Sequence, residues 1–311
     1  MGNDTTKIQE TKTYLDKKFS IKYLGSLKYF LGIEVANTSS GMILSQRKCT
    51  LDILKDNGMM GYKPSSFPIK QNLQLDQCAD SPNIEASQFQ RLVGRLLYLH
   101  ATRPDIPYVV NLLNQFVSNL RQKHMDVAMC LLRYLKETLG QGILLPKDGG
   151  TKLVAYCDSD WLGCAFTRRS RTRYLILLGG AQIYCKTKKQ TVVSRSFTEA
   201  MYRAMAHAVS KVLWLRWLLK ILKVAPTKAI SLFCDNQATR YIANNPVFRE
   251  QIKHVEMDCF FVEERVETQE IRPVFINAKE QLADVFTNVL GAIRLKDLLV
   301  KLGTCNLYAP I

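Results

Sequence analysis

The chain lacks the features that mark several large classes of protein. Its 311 residues contain no apolar run long enough to cross a bilayer, which takes about 18 residues or more. The first residues, MGNDTTKIQETK, are polar and lack the apolar stretch of a secretory signal peptide. We therefore expect an intracellular protein, cytoplasmic or nuclear, that has no membrane as a partner.

The cysteines lack the spacing of a metal or disulfide site. None of the nine forms a CxxC pair, and an odd number does not suit a disulfide framework. We expect reduced thiols, most of them buried as small apolar residues.

Acidic residues are scarce relative to basic ones. The sequence has 43 Lys and Arg against 27 Asp and Glu, a formal net charge of +16. Such an excess is typical of proteins that bind a polyanion, most often nucleic acid, although a basic protein without such a partner is the alternative. The basic residues cluster in TRRSRTR, over 167–173, and KTKK, over 186–189, which flank predicted strands.

The first half of the chain has helical patterns around one predicted hairpin. Residues 6–18 predict an amphipathic helix, and the apolar runs LGIEVA and MILSQ predict a β-hairpin around the turn at 37–41. A short helix over 50–57 and a proline-containing loop over 63–83 follow. Helical spacing then extends from 85 to 139.

The pattern changes after LPKDGGTK, residues 145–152, which we predict as a linker because it carries proline and two glycines. The second half then predicts, in order, a strand KLVAYCDSDW, a hairpin across Gly179 and Gly180, a strand TVV, a long helix from 198 to 223, a strand SLFCDN, helices TRYIAN and HVEMDCFFVEERV, a strand IRPVFI and a final helix KEQLADVFTNVL. This order is typical of a mixed α/β domain.

Several ordered stretches are more specific than this pattern. YCDSDWLGC, SRSFTEAMYRAMA, LFCDNQAT and KEQLADVFTNVL resemble the ribonuclease H domain of copia-type retrotransposon Pol polyproteins, and YLGSLKYFLGIEV and LVGRLLYLHATRPDIPYVVNLLNQF resemble their reverse transcriptase segment. The resemblance implies an α/β (α+β) fold class, with a ribonuclease H-like mixed sheet after a hairpin and helical remnant. The predicted units are a reverse transcriptase palm remnant over 1–66, a helical thumb- or connection-like region over 67–147, a ribonuclease H-like domain over 148–291 and a C-terminal tail over 292–311.

The resemblance also predicts what this chain does not do. In the family, a catalytic Tyr-Val-Asp-Asp turn comes just before a segment similar to Gly2-Asn3-Asp4, and no Asp-Asp pair occurs in this sequence. We therefore expect the polymerase active site to lie upstream of this chain, which alone is not a polymerase.

The ribonuclease H resemblance implies hydrolysis of RNA in an RNA–DNA hybrid by two divalent metals, Mg²⁺ or Mn²⁺, held by carboxylates. It assigns catalytic and metal-binding roles to Asp158, Asp235 and Asp284. The alternatives are a strand-end turn residue for Asp158, a turn or helix-capping residue for Asp235, and a solvated helix acid for Asp284. Asp160 is either an auxiliary ligand or, as we favour, a turn residue.

The fourth acid of the family pattern is missing. The family's Glu-Ala-Glu-Tyr-Arg-Ala corresponds to Glu199-Ala200-Met201-Tyr202-Arg203-Ala204. Helix geometry turns position 201 inward and Glu199 about 160° away from it, where Glu199 completes a capping box with Ser196. Met201 thus replaces a catalytic glutamate, unless Glu199 is the true ligand. A thioether does not bind Mg²⁺ usefully, so we expect a weak or inactive ribonuclease H.

Other residues bear on nucleic-acid binding. Our candidate contacts to the hybrid are Arg168, Arg169, Arg171, Lys186, Lys188 and Lys189. The alternative for each of them is a charged side chain at a strand end that is solvated and binds nothing. Arg173 stands where the family usually has glycine, and it adds strain if that position has positive φ. The expected partner is an RNA–DNA hybrid or another nucleic acid, with other Pol chains of the transposon as a further candidate. Two alternatives to an enzyme are a catalytically silent nucleic-acid-binding protein and a decayed transposon fragment without a selected role.

Overall fold

The computed structural model of the protein describes residues 4–23, 25–70, 73, 75, 82, 86–164, 166–224, 226, 228–236, 256–286 and 289–307. The chain order begins with α1 (Thr5–Phe19), β1 (Tyr29–Phe30), β2 (Ile33–Asn37), β3 (Gly41–Ser45), α2 (Arg47–Asp56), α3 (Ala86–Tyr98), α4 (Pro107–Asn114), α5 (Gln122–Glu137) and β4 (Gln141–Pro146). It continues with β5 (Leu153–Asp160), β6 (Arg171–Leu178), β7 (Ala181–Lys189), α6 (Phe197–Ile221), β8 (Ile230–Cys234), α7 (Glu256–Glu267), β9 (Ile271–Phe275), α8 (Ala292–Lys301) and β10 (Thr304–Asn306). The predicted α/β fold class is confirmed.

The first half packs its helices on one apolar core. The predicted hairpin is confirmed, since β2 and β3 pair antiparallel across the turn. The inward faces of α2 to α5 share a buried cluster that includes Ile53, Phe89, Leu96, Val110 and Leu131. These residues recur at helical spacing, which is why the sequence pattern predicted this region well.

A buried ion pair fixes the break between α3 and α4. The Arg103 guanidinium donates to the Asp105 carboxylate at 2.6 Å, and both side chains are almost fully buried. Arg103 also donates to the carbonyl oxygen of Thr138 at 3.1 Å, at the end of α5. The TRPDIP segment therefore connects two helices to a third, and the buried charges satisfy each other.

The first sheet extends the predicted hairpin by two strands that are distant from it in sequence, β4 and β10. Its order is β1-β2-β3-β4-β10, and all neighbours are antiparallel. Strand β4 was not predicted, and it takes Leu145 and Pro146 from the predicted linker. It pairs with β3 about a hundred residues earlier, a long-range contact that local periodicity does not reveal.

The second half forms a mixed sheet of order β7-β6-β5-β8-β9. Strands β5, β6 and β7 are antiparallel neighbours, whereas β5, β8 and β9 run parallel. Helix α6 packs on one face, over a buried cluster that includes Cys157, Met201, Leu232 and Cys234. A 3₁₀ turn over 282–286 and α8 cover part of the other face, with Leu175, Leu177, Phe286 and Leu298 among the buried residues.

Three predicted elements are wrong or lie outside the described residues. Thr191–Val193 are not a strand, and Val192 and Val193 remain 45% and 48% exposed. The predicted final helix is instead two 3₁₀ turns, Ala278–Glu280 and Leu282–Phe286, and Asn277 caps only the first of them. The predicted TRYIAN helix lies outside the described residues. The apolar residues of TVV resemble those of a strand, but apolar content does not show whether a segment has a neighbouring strand to pair with.

The described residues also bear on membrane contact and thiol chemistry. Within them, we find no helix with the length and apolar character that crossing a bilayer requires. The described cysteines are free thiols, and the buried ones are Cys157, Cys164, Cys234 and Cys259.

Candidate functional site

Asp158 lies near the end of β5, where the sheet meets the 282–286 turn. Asp158 is 7% exposed, and it lies opposite Arg173 in the register of β5 and β6. Burial raises the pKa of Asp158 to about 7, the Arg173 charge opposes that rise, and the charges of Asp235 and Asp284 add to it. Asp158 is therefore within electrostatic range of both Asp235 and Asp284, the other two aspartates predicted from separate stretches.

Asp235 directly follows β8 and is held by a glutamine. Burial raises the pKa of Asp235, while a hydrogen bond from Gln281 opposes the rise. The Gln281 side chain also donates to the carbonyl oxygen of Cys157 at 3.1 Å and accepts from the amide of Ala283 at 3.3 Å. Gln281 thus connects β5, Asp235 and the turn that carries Asp284.

Asp284 lies in the 3₁₀ turn over 282–286 and not in an α-helix as predicted. Its carboxylate is largely buried and forms an ion pair with Arg294 of α8. Arg294 also donates to the carbonyl oxygen of Ala278 at 2.9 Å. The cation that compensates Asp284 therefore comes from the segment we predicted only as a tail.

The guanidinium of Arg173 lies among the aspartates. Its side chain is fully buried, Nη2 donates to Asp160 Oδ2 at 2.7 Å, and Nη1 lies 3.7 Å from Asp158 Oδ2. Burial lowers the pKa of Arg173, and the charges of Asp160 and Asp158 counteract this. The strain we considered for Arg173 does not arise, because the residue is part of the extended strand β6 and does not have positive φ.

Asp160 has two roles at the end of β5. Its carbonyl oxygen accepts from the amide of Gly163 at 3.3 Å, which is the turn role we favoured. Its carboxylate accepts hydrogen bonds from the Arg171 backbone amide and from Arg173. Burial raises the pKa of Asp160 and the neighbouring arginines lower it.

Glu199 and Met201 have separate environments. The Glu199 carboxylate accepts from the amide of Arg195 at 2.7 Å and pairs with Arg203 at 2.9 Å, while Ser196 caps the same turn. The predicted Ser196 cap is therefore confirmed, but the reciprocal hydrogen bond of a capping box is not formed, because Glu199 accepts from the amide of Arg195 and not from that of Ser196. Met201 is 0% exposed in the apolar cluster under α6, together with Cys157, which precedes Asp158. The catalytic role of Glu199 remains a prediction.

These residues do not fit a divalent metal pair. Among the described residues, no three His, Cys, Asp or Glu side chains are grouped closely enough to hold a metal ion. Two of the three aspartates face arginines, and Met201, which we predicted to stand in place of a fourth acid, is a fully buried apolar side chain. The Mg²⁺ or Mn²⁺ that the resemblance implies therefore has no formed carboxylate site in the described part of the chain.

The predicted nucleic-acid contacts fall into two groups. Arg168 and Arg169 are exposed in the loop between β5 and β6, and Lys186 and Lys188 are exposed on β7, while Lys189 is half-buried. Lys188 and Lys186 lie on the side of the sheet that faces α6. Burial lowers the pKa of His207 on that helix, and the charges of the two lysines lower it further. Arg171 does not suit a surface contact, because it is only 8% exposed and faces Asp160.

Sequence reasoning missed Gln281 and Arg294 as parts of this site. Gln281 was visible inside KEQLAD, but nothing in a linear pattern shows which way a glutamine points. Arg294 lies beyond the motif and reaches Asp284 only because α8 folds back over the turn. Arg173 was recognised only as a departure from glycine, and its pairing with Asp158 depends on the register of β5 and β6.

The raised pKa of Asp158 predicts a pH-dependent stability. The pKa of Asp158 in the folded protein, about 7, lies above the ordinary 3.8, so the folded state favours the protonated carboxyl. Its contribution to the free energy of unfolding is therefore fully present below pH 4 and is lost as the pH rises through 7. From about pH 5 to about pH 8, we expect wild type to lose of the order of 2 kcal/mol relative to Asp158→Asn. Urea titrations at both pH values measure this, with the exposed Asp297→Asn as control. Parallel losses in wild type and Asp158→Asn would contradict it.

Comparison with known proteins finds relatives over nearly the whole chain. A family model described as "Reverse transcriptase (RNA-dependent DNA polymerase)" matches residues 1–71. The Retrovirus-related Pol polyprotein from transposon RE1 of Arabidopsis thaliana is 36% identical over 302 residues, which are 97% of this chain and 21% of that protein. An uncharacterized mitochondrial protein of Arabidopsis thaliana is 38% identical over 214 residues, which are 68% of this chain and 88% of that protein. The chain thus spans about a fifth of the length of the Pol polyproteins it matches.

Two solved structures are similar at low sequence identity. LC11-RNase H1, isolated from compost, is 13% identical with a TM-score of 0.34, and the match covers 44% of this chain and 92% of that chain. The foamy viral protease-reverse transcriptase, in complex with RNA/DNA hybrid, is 13% identical with a TM-score of 0.48, and the match covers 89% of this chain and 34% of that chain.

Proposed function

We propose that this chain, which belongs to the family of retrovirus-related Pol polyproteins of copia-type transposons, binds RNA–DNA hybrids or related nucleic acids through its second half and cleaves them weakly or not at all. The family relationship makes the second half a ribonuclease H-type endonuclease by descent. Its hydrolytic activity is impaired because Met201 stands where the family pattern has a glutamate. The polymerase reaction is not assigned to this chain. Other Pol chains of the transposon are further candidate partners.

The observation that carries the proposal is the state of the carboxylate face. Asp158, Asp235 and Asp284 come from three parts of the fold, and Asp158 lies in electrostatic range of the other two, as descent from a hydrolytic site predicts. Each now has a partner from the chain itself, namely Arg173, Gln281 and Arg294 respectively. One buried oxygen of Asp235, Oδ1, has no hydrogen-bond partner among the described residues, but Asp158 and Asp284 already face internal cations, so this arrangement favours binding over hydrolysis.

The charge distribution supports a nucleic-acid ligand. The net charge is +16, and the exposed cations of this half include Arg168 and Arg169 in the loop between β5 and β6, and Lys186 and Lys188 on the α6 side of β7. Phosphate contacts of this kind release counterions, so the affinity falls with salt. In an A-form-like hybrid, recognition then depends on backbone shape and 2′-hydroxyls more than on base sequence.

The test measures hybrid binding against salt with a labelled RNA–DNA duplex. We expect Lys186→Ala/Lys188→Ala to weaken binding and to reduce the slope of log K against log[salt] by about 1 to 2, since each lost phosphate contact removes about 0.7 to 0.9. Lys220→Ala is the matched control, because Lys220 is an exposed lysine at the C-terminal end of α6, whereas Lys186 and Lys188 lie near His207 in the first half of that helix. An unchanged slope in the double variant, or no hybrid binding by wild type at low salt, would overturn the proposal.

A further inference from the structure

One positive charge is built into the carboxylate face. Arg173 projects from β6 with a side chain that is 0% exposed, and its guanidinium lies 2.7 Å from Asp160 and 3.7 Å from Asp158. Its Nε and Nη1 atoms have no hydrogen-bond partner within the described part of the chain. A buried guanidinium with spare donors is costly, so the aspartates around it must compensate its charge.

We propose that Arg173 is an internal cation beside Asp158, one of the acids that the resemblance assigns to the metal, so that this face binds neither Mg²⁺ nor Mn²⁺ in the wild-type protein. The inference rests on the proposed function in one respect, the assignment of this face as the former cleavage site. Metal binding is measured without nucleic acid, so a result that contradicts this inference is distinguishable from a result that contradicts hybrid binding.

The chemistry of the guanidinium supports this. An arginine guanidinium stays protonated at neutral pH, so Arg173 carries its charge under the conditions of a metal titration. Its planar fork of donors fills the space between carboxylate oxygens that a metal would need as ligands. A dication brought close to it meets like-charge repulsion, which is strong where water is excluded.

A second arginine acts in the same direction at the next aspartate. Arg294 pairs with Asp284 from α8, so a dication at that carboxylate would also have to displace a cation. Arg294 differs from Arg173 in that its side chain is 44% exposed and is free to leave the ion pair. Arg173 has no such freedom, which makes it the residue that excludes the metal.

The experiment titrates the full chain with Mn²⁺ by calorimetry and follows the thermal midpoint Tm with and without Mn²⁺. We expect no saturable binding and no rise of Tm for wild type. In Arg173→Gln we expect Mn²⁺ affinity to increase by about tenfold or more and the Tm to rise with metal, because two carboxylates lose their internal cation. Arg203→Gln is the control, since Arg203 pairs with Glu199 and not with Asp158 or Asp160.

Two outcomes would overturn the proposal. The first is saturable Mn²⁺ binding by wild type that Asp158→Asn abolishes, and this result does not depend on any arginine variant folding. The second is a folded Arg173→Gln, with the circular dichroism of wild type, that binds Mn²⁺ no better than wild type. Arg173→Met, which keeps an unbranched apolar stem, repeats the test with a side chain that cannot hydrogen-bond to the aspartates.

Discussion

Asp160→Ala should lower the free energy of unfolding by about 3 to 5 kcal/mol, the usual result of removing one partner of a buried ion pair. The Asp160 carboxylate lies 2.7 Å from the guanidinium of a fully buried Arg173, and no other carboxylate is as close to it among the described residues. Without Asp160, Arg173 keeps its charge and loses its main counter-ion. Urea unfolding at neutral pH measures the effect.

The sign of this change distinguishes two kinds of site. In a cluster of acids awaiting metal, removal of one carboxylate relieves repulsion and stabilises the metal-free protein. With an internal cation, the same removal destabilises it. We expect Asp160→Ala/Arg173→Met to recover most of the loss, because neither buried charge then remains unpaired. A stabilised Asp160→Ala would contradict the account of Arg173, and the exposed Asp297→Ala provides the baseline.

Met201→Glu should also destabilise the protein, by about 3 kcal/mol or more at pH 8, although it restores the acid of the family pattern. Met201 is 0% exposed among apolar residues under α6, so a carboxylate there loses its hydration without gaining a cation. Burial raises the pKa of such a glutamate, so its protonated form is favoured in the folded state and the loss should be smaller at pH 5.

Met257→Glu is the matched control for this substitution. Met257 lies on α7 and is 80% exposed, so the same chemical change there should alter the free energy of unfolding by less than about 0.5 kcal/mol. Urea titrations of both variants at pH 5 and pH 8 separate burial from the intrinsic effect of the mutation. A Met201→Glu protein as stable as wild type at pH 8 would mean that position 201 opens onto the carboxylate face.

The periodic elements were predictable from sequence because each depends on local pattern. Helices α3, α5 and α6 follow apolar residues at helical spacing, and β5 to β7 follow a strand and hairpin pattern. Strand β4 and the pairing of β10 with it depend on contacts between distant parts of the chain, which no local pattern contains. The turn over 282–286 has the apolar spacing of a helix, but tertiary packing places it as a 3₁₀ segment.

The candidate site was predictable in its acids and not in their partners. The resemblance to ribonuclease H domains assigned Asp158, Asp235 and Asp284, and helix geometry separated Glu199 from the inward position 201. The interpretation of Arg171 as a surface contact was wrong because its strand is buried, a property that a run of basic residues does not disclose. The effect of Arg173 depends on strand register, which pairs it with Asp158, and on the burial of its guanidinium.

Cleavage of a labelled RNA–DNA hybrid by the wild-type chain, in Mg²⁺ and in Mn²⁺, tests the central claim most directly. Asp158→Asn is measured beside it so that contaminating nuclease is recognised. Because Arg173 is inferred to exclude the metal, the account predicts the inactive outcome, in which wild type binds the hybrid and produces no more cleavage than Asp158→Asn in either metal. Metal-dependent cleavage by wild type that Asp158→Asn abolishes would contradict it, and would indicate a working carboxylate site despite Met201 and Arg173.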